Sequence, residues 1–213
     1  MGFPLAVKGR GNSMPFLYIL IIVLLATIAG LILFYLWKSA QFCKPTYAKQ
    51  AVGKMLRGFA RLRQYQVFSD VALSCGEESA TVEHILVGDF GLLFVASIQG
   101  DGSFYGDYKE ARWSFDKGKQ KIYFKNPVEE LERKIELFRK VLAKNKIYNV
   151  PLECAVVIVG FSKETKLYIN NANKEQPVLL AQTFPGYLRS PHFEVQRTMD
   201  QEAVKNLLVN LSK

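Results

Sequence analysis

The sequence predicts an α/β (α+β) domain, a mixed β-sheet flanked by helices, preceded by one transmembrane helix. Three observations predict it. Phe16 to Trp37 is a run of 22 residues without a charge. Beyond it, amphipathic helical patterns enclose a series of short β-rich runs. Cys154 to Val159 is continuously apolar, as a strand buried on both faces is. The predicted layout is a flank over 1–15, a span over 16–37, a juxtamembrane linker over 38–46 and a folded domain over 47–213.

As a helix, 22 residues reach about 33 Å, against a hydrocarbon core of roughly 30 Å. Fifteen of them are Leu, Ile, Val or Phe. Each favours insertion by about 0.3–0.6 kcal/mol near the bilayer centre, with no charge opposing. Tyr18, Tyr35 and Trp37 stand near the ends, where amphipathic rings prefer the interface. Lys38-Ser39-Ala40-Gln41-Phe42-Cys43 offers no signal-peptidase site. Lys8 and Arg10 precede the run, whereas Lys38, Lys44, Lys49, Lys54 and Arg57 follow it closely. The larger cluster stays inside, so the expectation is a single-pass protein of the cell membrane with a cytoplasmic C-terminal domain. The Asn210-Leu211-Ser212 sequon would matter only in an exported domain.

Tyr47 to Gln64 reads as a helix burying Val52, Met55, Leu56, Phe59 and Leu62. Lys54, Arg57 and Arg61 form a separate basic stripe that an anionic surface would attract. Strands follow at Gln66–Leu73, Thr81–Val87 and Leu92–Ile98, the last two joined through the four residues Gly88 to Gly91. Gly100-Asp101-Gly102 is a turn without the Lys-Ser/Thr of a phosphate loop. Shorter strands lie around Trp113 and over Lys121–Phe124. Asn126-Pro127 opens a helix to Lys144 with buried Val128, Leu131, Ile135, Phe138 and Leu142. Its wet side carries the pairs Glu129/Arg133, Glu130/Lys134 and Glu136/Lys140. Val178–Leu180 is a short strand, and Thr198 with Gln201 forms a capping box for a last helix to Leu211.

The formal net charge is +9, of which the residues after Pro45 carry +5. That surplus permits phosphate or anionic lipid as a partner without requiring either. Three scattered cysteines, Cys43, Cys75 and Cys154, argue against a disulfide framework and a zinc site. Two distant histidines provide no Ser-His-Asp or Cys-His set.

Asp70-Val71, Thr81 to Val87 and Gly91-Leu92-Leu93-Phe94-Val95 together resemble the nuclease-related domain family, often called NERD. Gly102 to Asp107, Trp113 and Asn126-Pro127 look like its later landmarks. The resemblance covers Tyr47 to Tyr187 and implies a fold similar to the restriction-endonuclease-like superfamily. It also implies a metal site: an Asp on one strand, then Glu-x-Lys on the next, holding Mg²⁺ and activating water.

Here that site looks dismantled. Glu83 stands in the Asp position, His84 matches, and the Glu-x-Lys positions fall on Ala96 and Ile98. Leu92, Phe94, Ala96 and Ile98 alternate and so form one apolar face. A helical Glu of the family aligns with Lys49 or Lys54, and Glu130 replaces a Gln. The vestigial set is therefore Glu83, His84, Ala96 and Ile98, with no metal ligand set and no cofactor expected. The expected function is binding or scaffolding at the membrane, with nucleic acid, an anionic surface or another protein as partner. The alternative is a Mg²⁺-dependent nuclease with a relocated site, drawing on Glu77, Glu78, Asp101, Lys109 or Lys119.

Overall fold

The computed structural model describes residues 14–42, 46–118, 120–161, 164–170 and 177–212. Lys8, Arg10, Cys43, Lys44 and Lys119 lie outside that set. The chain divides into two units, 1–44 and 45–213.

The first unit holds helix α1 (Met14–Phe42), whose helical backbone continues five residues beyond Trp37 into the expected linker. Its described side chains, Tyr18 to Phe34, are exposed throughout. Among the described residues no helix is long and apolar enough to cross a membrane. Those 17 side chains cover about 25 Å of helix, short of the roughly 30 Å core; Tyr35 and Trp37 lie outside them.

In the second unit, α2 (Tyr47–Arg63) precedes β1 (Gln66–Cys75), β2 (Glu78–Gly88) and β3 (Gly91–Gln99). Three further strands follow, β4 (Ser103–Asp107), β5 (Arg112–Lys117) and β6 (Gln120–Lys125), then α3 (Pro127–Lys144). The chain closes with β7 (Leu152–Val159), β8 (Lys166–Asn170), β9 (Val178–Leu180), α4 (Phe184–Leu188) and α5 (Gln201–Leu211). The result is an α/β fold with two mixed sheets, where the sequence predicted one. A five-stranded sheet has the order β1-β2-β3-β7-β9 and a four-stranded sheet the order β6-β5-β4-β8. The sequence reading missed β4 and β8, because their polar outer faces dilute the alternating signal.

The large sheet is covered on both sides. Ile85, Val87 and Phe94 pack with Leu131, Ile135 and Phe138 of α3 and with Val204 and Leu208 of α5. Leu86, Leu93, Val95 and Val157 pack on the opposite face with Val52, Leu56 and Phe59 of α2. Each such buried side chain contributes on the order of 1.5–3 kcal/mol. Gly88 pairs with Gly91, so the hairpin turns on two residues, Asp89 and Phe90, rather than four. Gly91 has φ +123° and sits so close to Pro151 that a Cβ would lie 2.6 Å from its carbonyl oxygen.

Other local expectations are corrected as well. Leu62 is 80% exposed; it lies about 120° round the helix from Leu56, beyond the buried stripe. The cap of α5 is Asp200, whose Oδ1 accepts from Ala203 N at 2.9 Å. Gln201 donates instead to Asp89 at 2.8 Å and ties the helix to the hairpin turn. Glu136 pairs with Arg139, which frees Lys140 to reach Glu78 on β2.

Candidate functional site

Strand alternation puts Glu83 on the parity of Ile85 and Val87, aimed into the core. The structure does otherwise. Asp70, opposite Glu83, adopts φ +57°, and the ladder between β1 and β2 skips that one pair. Asp is among the few residues that visit this conformation readily. Phe68 and Val71, three apart, consequently share a core face, as do Ile85 and Val82. Glu83 is thrown out of that pattern toward β3. Pairing of β2 with β3 ends at His84–Val95. Just beyond that point, the Glu83 carboxylate accepts from Ser97 N at 2.8 Å and from Ser97 Oγ at 2.6 Å. Glu83 thus caps a backbone group that the ladder leaves open. The sequence reading assigns it only to the vestigial metal site. The signal that could have found it is the short, αL-tolerant Asp70 inside an otherwise β-rich run.

His84 is 2% exposed. Its Nε2 lies 2.9 Å from the Lys49 carbonyl, which can only accept, so Nε2 carries the proton. Nδ1, 2.9 Å from Ser69 Oγ, then accepts from that hydroxyl. Burial lowers the imidazole pKa from its ordinary value, ahead of the opposing effect of the Lys49 hydrogen bond. His84 is therefore a neutral strut between β2 and α2. The helix approaches so closely that a Cβ on Gly53 would lie 2.9 Å from His84 Cε1.

Ala96 and Ile98 are half-buried, pack against the same cluster as Phe94, and pair with Val156 and Ile158 of β7. The positions that need a carboxylate and an ammonium present only aliphatic groups. Lys49 pairs with Asp70. Lys49, Arg57, Ser69, Asp70 and His84, with Thr46 and Gln50, line a cavity of about 320 Å³ beside the start of α2. Lys54, Arg57 and Arg61 are all exposed.

A divalent ion does not fit these residues. The carboxylate of Glu83 is spent on Ser97, and Ala96 and Ile98 beside it bring no ligand. Among the described residues no three His, Cys, Asp or Glu side chains come together as a metal group. The residues considered for a relocated site are not gathered either. Glu78 is held by Lys140 and Asp101 accepts from Thr165, while Lys119 lies outside the described residues.

Asn126, which opens α3, is buried. Its Oδ1 accepts from Val128 N and Glu129 N, and its Nδ2 donates to the carbonyls of Tyr108 and Glu110. It fastens the second sheet's loop to the helix that covers the first.

The fold and this strand pair define an α/β domain in which a polar core position survives while the residues around it are aliphatic. The family model of the nuclease-related domain matches residues 44–159, more than half of the chain. The chain belongs to that family. No curated protein and no solved structure matches it.

Proposed function

We propose that this protein is a membrane-anchored member of the nuclease-related family whose domain binds or scaffolds without cleaving. The observation that carries the reading is the pairing of Glu83 with Ser97 beside the aliphatic Ala96 and Ile98. Catalytic constellations act as units, so loss of two members removes nearly all rate enhancement. A mixed sheet flanked by helices is what kinship with restriction-endonuclease-like folds implies, and α1 with the uncharged run Phe16–Trp37 supports the anchor. The Lys/Arg excess after the span supports a cytoplasmic domain. The exposed Lys54, Arg57 and Arg61 stripe gives α2 a surface for anionic headgroups at about 1 kcal/mol per residue.

The test incubates the purified full chain with single- and double-stranded DNA and RNA in Mg²⁺ or Mn²⁺. All substrates are expected to stay intact. Cleavage that vanishes in Glu83→Ala would sink the non-catalytic reading. For the anchor, alkaline carbonate extraction should leave the chain in the membrane pellet; release into the supernatant would overturn it.

A further inference from the structure

We infer that the outer face of the four-stranded sheet binds single-stranded nucleic acid, taking an unpaired base into a slot between Tyr105 and Tyr123. The inference rests on the binding reading above and names its ligand and its surface.

Register assembles the face. Tyr123, Ser114, Tyr105 and Tyr168 are successive cross-strand partners, one row across β6, β5, β4 and β8. The three tyrosines are 65%, 38% and 49% exposed in the order Tyr123, Tyr105, Tyr168. Tyr105 and Tyr168 stack with centroids 4.9 Å apart and planes 9° from parallel. Tyr105 and Tyr123 are two strand spacings apart, about 9.6 Å. Only the small, buried Ser114 stands between them. Aromatic rings pair at centroid separations of roughly 4.5–7 Å, so the gap admits one more planar ring and extends the existing stack. A cavity of about 390 Å³ opens there, reaching Asp107, Glu110 and Asn170 at one end.

Cations border the row on both sides. Lys125 pairs with Arg112 in one flanking row; Lys121 and Lys166 end the other, with Asp116 and Ser103 between them. All four cations are exposed and make no ion pair among the described residues. The rows are four residues apart along the strands, about 13 Å. One mononucleotide phosphate cannot serve both, whereas a strand of a few nucleotides can. The combination of stacking rings and phosphate-tracking cations is that of single-strand binding surfaces.

A lipid surface is the competing occupant, since Tyr and Lys also favour interfaces. Asp107, Glu110 and Asp116 count against it, because carboxylates repel anionic headgroups. Beside a base, the same carboxylates accept from exocyclic amines. The underside of the sheet is filled by Phe104, Trp113 and Phe124, so the tyrosines are not needed for its core.

The test measures fluorescence anisotropy of a labelled 12-nucleotide single strand, DNA or RNA, with the full chain in neutral-lipid nanodiscs. EDTA is present and salt is varied. The single strand is expected to bind more tightly than its duplex. Tyr105→Ala and Tyr123→Ala are each expected to weaken binding about fivefold or more. Arg112→Gln with Lys125→Gln should flatten the salt dependence, by roughly 0.7 in the log–log slope per lost phosphate contact. Unchanged thermal melting in these exposed-site variants keeps the readout specific. Duplex preference, indifference to both tyrosine changes, full competition by nucleoside monophosphates, or variant-sensitive capture only by anionic vesicles would each overturn the inference. The oligonucleotide is then incubated with Mg²⁺ and run on a denaturing gel. Cleavage with tyrosine-dependent binding sinks the non-catalytic reading alone; an intact strand that never binds sinks this inference alone.

Discussion

Glu83 and Ser97 face each other across the point where strands β2 and β3 part, and the carboxylate takes both the backbone N–H and the hydroxyl of the serine. A carboxylate in that position holds a strand edge closed. The relationship makes the residue that the family resemblance places in a metal site part of the scaffold. It also makes that role separable from catalysis by experiment.

Replacing Glu83 by Ala leaves the half-buried Ser97 N–H without its acceptor. The expected loss is about 1–3 kcal/mol of unfolding free energy, and Glu83→Gln, which keeps an acceptor, should lose less. Urea unfolding of the two variants measures this. Equal stability of wild type and Glu83→Ala would show that the bonds carry no weight in the fold.

The contact between Gly53 and His84 predicts a rescue. Gly53→Ala forces a methyl toward the imidazole at 2.9 Å and should cost about 1–3 kcal/mol. His84→Ala removes the obstruction, so the double variant should be less destabilised than the sum of the singles. Strict additivity in a double-mutant cycle would mean that the helix and strand do not meet through this pair.

His84 also predicts a pH dependence. Its folded pKa lies below the ordinary 6.5 because burial disfavours the imidazolium. The unfolded chain therefore binds the proton first as pH falls. The contribution of neutral His84 is fully present above about pH 6.5 and is lost progressively below it, toward the lower folded pKa. The midpoint of urea unfolding should fall between pH 7.5 and pH 5 more steeply in the wild type than in His84→Gln. Parallel curves would contradict a buried neutral imidazole.

Asn126 separates capping from bridging. Asn126→Asp keeps the acceptor for Val128 and Glu129 but loses the two donor bonds to Tyr108 and Glu110. It should cost about 1–3 kcal/mol. Asn126→Ala loses the cap too and should cost about 0.5–2 kcal/mol more. Thermal melting of both variants tests the order; an alanine variant more stable than the aspartate would refute it.

Much of the scaffold was legible because it is built on periodicity. The buried stripe of α3 and the apolar strand β7 follow from side-chain spacing alone, and the structure buries Leu131, Ile135, Phe138 and Val157 as that spacing requires. The face of Leu92, Phe94, Ala96 and Ile98 was likewise readable, since alternation along one strand is a local property. The cap of α5 was misread because it depends on where the element begins, which neighbours decide, and Leu62 because it lies at the margin of the apolar stripe.

By itself the sequence determined the long helices and the strands of the five-stranded sheet, and that the positions where the family resemblance places Glu-x-Lys hold aliphatic side chains. Only the tertiary structure decided where Glu83 points, that His84 is locked neutral between β2 and α2, and that Tyr105, Tyr123 and Tyr168 share one row. The physical reason is the range of the interactions. Helical and strand periods are set by neighbours a few residues away, whereas a skipped ladder pair at Asp70 and a row drawn from three strands exist only once distant segments hydrogen-bond in register.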